Sequence, residues 1–290
     1  GSSGDVACWG VDPDNSQVLF DYDTCCRLAC NQPAPCWRYN DWSTEVLERL
    51  FSWQVNSQGS QDAVLAFIFS LLGTTNLFFV EIGALGAASN VSNAGFLQQS
   101  TWHACAGQPS HWRGIRFDDS DSDATQGLYR EVVTLDNIVR LFSAHEIPLE
   151  LDFVSIDIDS CDLWLFLALT AVYRPRVVAV EYNCNYDIHQ SVAADCFRSP
   201  PYQWGIVNGI QDNIYGASLR AIHEAASLRG YAVVWVVKRL DAFLVRKDLL
   251  CEGYGIESLD ELAERFGSAT GIRYHQPLPA EAAREWTLDF

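Results

Sequence analysis

Apolar positions fall along the chain in two rhythms. Behind Ser43-Thr44-Glu45, the residues Val46, Leu47, Leu50 and Phe51 recur at helical spacing, which predicts an amphipathic helix to Trp53. A second helix is predicted from about Ser60 to Leu72 and stops at Gly73, a residue suited to a helix C-terminus. The rhythm then changes to short continuous apolar runs at Leu77 to Ile82, Phe153 to Ile158 and Arg176 to Tyr182. Runs of this kind, separated by helices, indicate a parallel sheet covered on both faces.

The intervening segments fill in the alternation. Helices are predicted at Asn93 to Gln99, at Leu135 to about His145 behind a Thr134 cap, at Leu163 to Val172, and at Tyr215 to Leu228 before Gly230. A weak strand is predicted at His103 to Ala106, and the acidic, Ser-rich "RFDDSDSDATQG" at 116 to 127 is expected to be a solvated loop. Tyr231 to Val237 and Asp241 to Arg246 are joined by only a few residues, so they must pair antiparallel. Ser258-x-x-Glu261 is a capping box that opens a last helix to Phe266. The chain thus divides into an irregular Cys-rich extension at 1 to 42, an α/β domain at 43 to 250, and a C-terminal helix and tail at 251 to 290.

Composition narrows the possible functions. With 290 residues, about half of them apolar, the chain can bury a sizeable core. No run reaches the roughly 20 apolar residues of a membrane-spanning helix. The formal charge of −18, from 37 acidic and 19 basic residues, opposes binding to nucleic acid and to anionic lipid. It leaves open docking against a basic partner.

Five of the ten cysteines, Cys8, Cys25, Cys26, Cys30 and Cys36, crowd the first 36 residues. Disulfides, a zinc site and free buried thiols all remain open there. There is no methionine, and the opening Gly-Ser-Ser-Gly fits either a tag remnant or a mature N-terminus left by processing. Processing would suit a plastid, another organelle or secretion better than the cytoplasm. The six histidines lack metal-binding spacing, so no metal centre is expected. Asn90-Val91-Ser92 is a formal glycosylation sequon, and the ten tryptophans suit partner contacts as well as core.

A doubly wound sheet takes its ligand outside the carboxyl ends of its strands. Three such ends carry polar groups here: Glu81-Ile82-Gly83, Asp157-Ile158-Asp159 and Glu181-Tyr182-Asn183. Each also has a plain structural reading, Glu81 as a cap, the aspartates as holders of loop amides and Asn183 as a turn residue.

At these residues the chain resembles the FkbM-like family of S-adenosylmethionine-dependent methyltransferases. The resemblance runs collinearly from about residue 57 to 250, through "SQGSQDAVLAFIFSLLGTTNLFFVEIG", "FVSIDIDSCDLWLFLAL", "YRPRVVAVEYN", "IYGASLRAI" and "DAFLVRKDLL". It implies a Rossmann-like class I methyltransferase fold, a mostly parallel seven-stranded sheet closed by an antiparallel hairpin. By the same resemblance Glu81, Gly83, Gly86, Gln108, Glu181 and Asn183 would bind the cofactor, and Asp157 and Asp159 would act on an acceptor.

The chain departs from the family at the chemistry. Ala84-Leu85-Gly86-Ala87 stands where an acid and an Asp-Gly pair are usual, Gln108 is the best match for the ribose-binding acid of the second strand, and Ser160-Cys161 replaces Gly-Asn. These changes predict an eroded cofactor site and a non-catalytic accessory subunit of a larger assembly, docked peripherally if that assembly is membranous. The alternative expectation is an active methyltransferase, using S-adenosylmethionine on a small-molecule or glycan hydroxyl.

Overall fold

The continuous apolar runs become the middle of one seven-stranded sheet. In chain order its strands are β1 (Phe78–Ile82), β2 (Arg113–Asp118), β3 (Leu128–Arg130), β4 (Phe153–Ile156), β5 (Val177–Glu181), β6 (Tyr231–Val236) and β7 (Asp241–Arg246). The structure is a computed structural model describing residues 9–11, 18–20, 54–86, 91–99, 111–197, 205–207, 210–212, 215–250, 255–271 and 283–285. The order across the sheet is β3-β2-β1-β4-β5-β7-β6. β1 to β5 pair in parallel, and β7 runs antiparallel to both β5 and β6.

Every position of β1, β4, β5, β6 and β7 is buried, which requires cover on both faces and explains why these strands read as unbroken apolar runs. Among the described residues six helices supply that cover: α1 (Gln61–Leu72), α2 (Gly95–Gln99), α3 (Ile138–Ala144), α4 (Asp162–Thr170), α5 (Leu219–Leu228) and α6 (Leu259–Phe266). In α1, Ala63 through Phe69 are at most 2% exposed, so this helix is core on all sides. Helices α3, α4 and α5 pack side by side in one layer. No helix among the described residues is long and apolar enough to cross a membrane.

Three expectations shift, each for a local reason. α3 starts at Ile138, not Leu135, because Asn137 folds its side chain back, donating to Val132 O at 2.9 Å and accepting from Thr134 N at 2.8 Å. α5 starts at Leu219, since Gly216 takes a φ of 54° and Ser218 caps the helix by accepting from Ala221 N. The strand beside β1 is Arg113–Asp118, which takes "RFD" out of the expected solvated loop and buries Arg116, Phe117 and Asp118. Ser258 caps α6 as its sequence predicts.

Among the described residues three short antiparallel pairs lie outside the sheet: Trp9–Val11 with Val18–Phe20, Gly205–Val207 with Ile210–Asp212, and Val192–Ala194 with Ala283–Glu285. The helix expected at 43 to 53, the strand at 103 to 106, Gln108, Asn90 of the sequon and the five N-terminal cysteines lie outside the described residues.

At the end of the sheet opposite the strand ends of interest, one buried ion pair ties four segments. Arg176 donates through Nη1 to Asp152 Oδ1 at 2.8 Å and Gly73 O at 2.7 Å, and through Nη2 to Leu72 O at 2.9 Å. The same carboxylate accepts from the backbone N–H groups of Thr75, Asn76 and Leu77. The C-terminus of α1, the turn into β1 and the starts of β4 and β5 therefore share one charge pair. Removing one member of such a pair leaves its partner's charge buried, so Arg176→Met is expected to cost about 3 kcal/mol or more in urea unfolding.

Candidate functional site

Gly83 ends β1 with a φ of 90°, and a Cβ there would lie 1.5 Å from the carbonyl oxygen of Asp157. No side chain fits, because the obstacle is backbone. The close approach holds the loop after β1 against the loop after β4, while Gly83 N and Ala84 N both donate to Phe117 O at 3.0 Å and hold it against β2. Gly86 also has a positive φ, 82°, and lies beside the Asp121 carboxylate. Between these loops a cavity of about 710 Å³ opens over the C-terminal ends of β1 to β4. That is the side of a doubly wound sheet on which ligands bind.

β2 ends at the acid Asp118, with Asp119 next, about ten residues beyond Gln108, where the sequence places the end of this strand. Asp118 Oδ1 accepts from Ser120 N, Ser120 Oγ and Asp121 N, which shapes a turn that carries exposed Asp119 onto the cavity wall. Hydropathy hides this strand: Arg116 is buried within it, its positive charge near Glu81 and its Nη2 within 3.4 Å of Gln126 O. The opposite wall comes from Val132, Val133 and Leu135, beyond β3, and exposed Leu85 contributes to the wall on the β1 side.

Of the residues singled out from sequence, Gly83, Asp157 and Asp159 line the cavity. Glu81 is 4% exposed and its two oxygens are used by Ser92 Oγ at 2.7 Å and Asn93 N at 2.6 Å, so it ties the approach to α2 onto β1. Burial raises its pKa. Asn183 is fully buried, accepts from Asn185 N and donates to Tyr215 O at 3.1 Å, holding the turn after β5.

Glu181 lies next to the aspartates: one carboxylate oxygen from each of Asp157, Asp159 and Glu181 falls within 4.8 Å of the other two. None of the three forms an ion pair among the described residues. At that spacing two full charges repel by about 3 kcal/mol in a medium of effective dielectric near 20. Burial first, and neighbouring carboxylates second, push Asp157 and Glu181 well above the ordinary carboxylate range, with Asp157 hydrogen-bonded to Glu181. Burial alone raises Asp159. Asp162 and Asp241, next in the group, rise to about 7 and about 6, again chiefly through burial.

Asp162 clamps the loop between β4 and α4, accepting from Ile158 N at 2.7 Å and Ser160 N at 3.1 Å. This loop holds Asp159 at a φ of 56°. Cys161, next to α4, forms a disulfide with Cys196, and both residues line the cavity. Trp164 Nε1 donates to Ala194 O at 2.9 Å and ties the same strap down. Sequence gave no signal for this bridge, because two scattered cysteines specify no pairing.

All-oxygen donors such as these suit a hard cation, while the cavity beside them suits a nucleoside-sized ligand. Set against protein-family models and curated proteins, the chain matches none.

The raised pKa values set a pH dependence. Below about pH 4 these carboxyls are protonated in both states. Between about pH 4 and 7 the unfolded chain releases protons that the folded chain keeps, so stability falls as pH rises. Asp162 alone, moved from 3.8 to about 7, carries on the order of 4 kcal/mol across that window. Without added divalent cations, denaturant unfolding is expected to show greater stability at pH 5 than at pH 8, and Asp241→Asn should flatten the slope.

Proposed function

We propose that the chain is an S-adenosylmethionine-dependent methyltransferase of the Rossmann-like type, acting on a small-molecule or glycan hydroxyl. The observation that carries this reading is the cavity over β1 to β4, with its glycine turn at one end and Asp119 at the end of β2. The strand order, with a single antiparallel strand entering by a hairpin, supports it. So does the resemblance to FkbM-like enzymes, whose ribose-binding acid Asp119 would match in place of Gln108.

The residues fit the cofactor in kind. Asp119 would accept the ribose hydroxyls, the turn from Gly83 to Gly86 would run beside the amino-acid end, and Val132, Val133 and Leu135 would flank the base. When bound, S-adenosylmethionine supplies a methyl group activated by a positive sulfonium. The acidic wall favours a ligand of that charge. Asp157 and Asp159 would orient the acceptor hydroxyl and take its proton, with the rest of the rate coming from positioning.

A non-catalytic accessory subunit is the second reading. It draws on Ala84-Leu85 after Gly83, where FkbM-like enzymes carry acids, and on the disulfide at Cys161 where those enzymes carry Gly-Asn.

Calorimetry separates the two. S-adenosylmethionine is expected to bind with a Kd on the order of micromolar, about −8 kcal/mol. Asp119→Ala should weaken it about tenfold, as loss of charge-assisted hydrogen bonds does. No binding by the wild-type chain would sink the enzymatic reading and leave the accessory one.

A further inference from the structure

We propose that Asp157, Asp159 and Glu181 form a binding site for one hard divalent cation, Mg²⁺, Mn²⁺ or Ca²⁺, at the β4–β5 side of the cavity. Two strands converge to make it, β4 through the loop that follows it and β5 through its last residue. One oxygen from each side chain lies within 4.8 Å of the other two, with neither nitrogen nor sulfur in the group. Such a donor set selects an oxygen-seeking cation over zinc.

Buried oxygens without partners point the same way. Glu181 is 9% exposed, and its Oε2 has no hydrogen-bond donor among the described residues. Asp241, opposite Glu181 in the β5–β7 register and 1% exposed, likewise leaves Oδ1 without one, although Gln61 Nε2 donates to its Oδ2 at 2.9 Å. Buried carboxylate oxygens are costly to leave unmatched. A cation at the triad matches the Glu181 oxygen directly and offsets the Asp241 charge beside it.

The supporting groups are in place. Asp162 fixes the backbone that presents Asp159, and the Gly83 contact fixes the backbone at Asp157. Because Asp157 and Asp159 also line the cavity, the cation would sit at its wall, open to a ligand there. Under the methyltransferase reading, on which only this last step rests, the ion would hold an acceptor oxygen. The chemical alternative is that the carboxyls satisfy one another by sharing protons, with no ion.

Mn²⁺ added to the chelator-stripped full chain, without S-adenosylmethionine, distinguishes the two through the free-ion electron paramagnetic resonance signal. One Mn²⁺ per chain is expected, with a Kd of about 0.1 mM or tighter, displaced by Mg²⁺ or Ca²⁺. Glu181→Gln and Asp159→Asn should each weaken it at least tenfold, while Asp123→Asn in the exposed loop should leave it unchanged. Glu181→Gln removes a repelling charge, so without metal its thermal midpoint should equal or exceed that of the wild type, which shows the fold intact. Wild-type protein that fails to saturate, or a folded Glu181→Gln with wild-type affinity, overturns the proposal. Cofactor calorimetry in EDTA tests the methyltransferase reading separately, so either can fail without the other.

Discussion

The contact between Gly83 and the carbonyl of Asp157 is the constraint on which the upper end of the sheet depends. β1 and β4 are hydrogen-bonded neighbours to Ile82 and Ile156, and Asp157 N still reaches Ile82 O at 3.0 Å. One residue later the chains must turn away in different directions, and only a residue without Cβ lets them do so at this distance. The turn after β1 then falls back on β2 through Phe117 O, and the space between the diverging loops becomes the cavity. A bulkier residue at position 83 would part the two loops, and with them both the cavity wall and the presentation of Asp157.

That geometry crowds acid. Asp157 and Asp159 come from the loop after β4, Asp162 from the first residue of α4 and Glu181 from the end of β5; Asp241 joins them because β7 inserts antiparallel beside β5, which brings the start of β7 to the end of β5. A parallel strand there would have put Asp241 at the other end of the sheet. The burial that raises these pKa values is the same burial that makes the sheet stable, so the apolar framework imposes the electrostatic cost at its own edge. Crowding of this kind is characteristic of functional sites, where stability is traded for reactivity or binding.

The sequence was legible where one physical signal dominated. β1, β4 and β5 are buried on both faces and therefore read as apolar runs, and the short link between β6 and β7 left no pairing but an antiparallel one. Ser258 caps α6 because its hydroxyl finds Glu261 N three residues on, a purely local relation. β2 failed for the opposite reason. Its buried polar residues, Arg116 and Asp118, hydrogen-bond to Gln126 and to the strand's own following turn, so local hydropathy reports a loop. Without that strand the expected ribose acid was placed at Gln108, whereas under the methyltransferase proposal Asp119, beyond the end of β2, takes that role. The grouping of Asp157 and Asp159 at a strand end was visible. Glu181 was placed on the same edge of the sheet, but its distance from the aspartates, the orphaned oxygen of Asp241 and the Cys161–Cys196 bridge were not legible, since each depends on tertiary contacts.

The two ends of the sheet resolve buried charge in contrasting ways. At the lower end Asp152 meets Arg176 and a fan of backbone N–H groups, so its charge is matched within the protein and contributes to the fold. At the upper end no arginine or lysine pairs with Asp157, Asp159 or Glu181 among the described residues. The same chain that compensates one carboxylate fully at 0% exposure leaves three others facing one another beside a cavity. Among the described side chains nothing supplies the matching positive charge, which protons, a metal ion or a cationic ligand in the cavity would provide. All three draw on the same deficit, which makes the acidic edge, rather than the glycine turn alone, the feature that gives this fold something to bind.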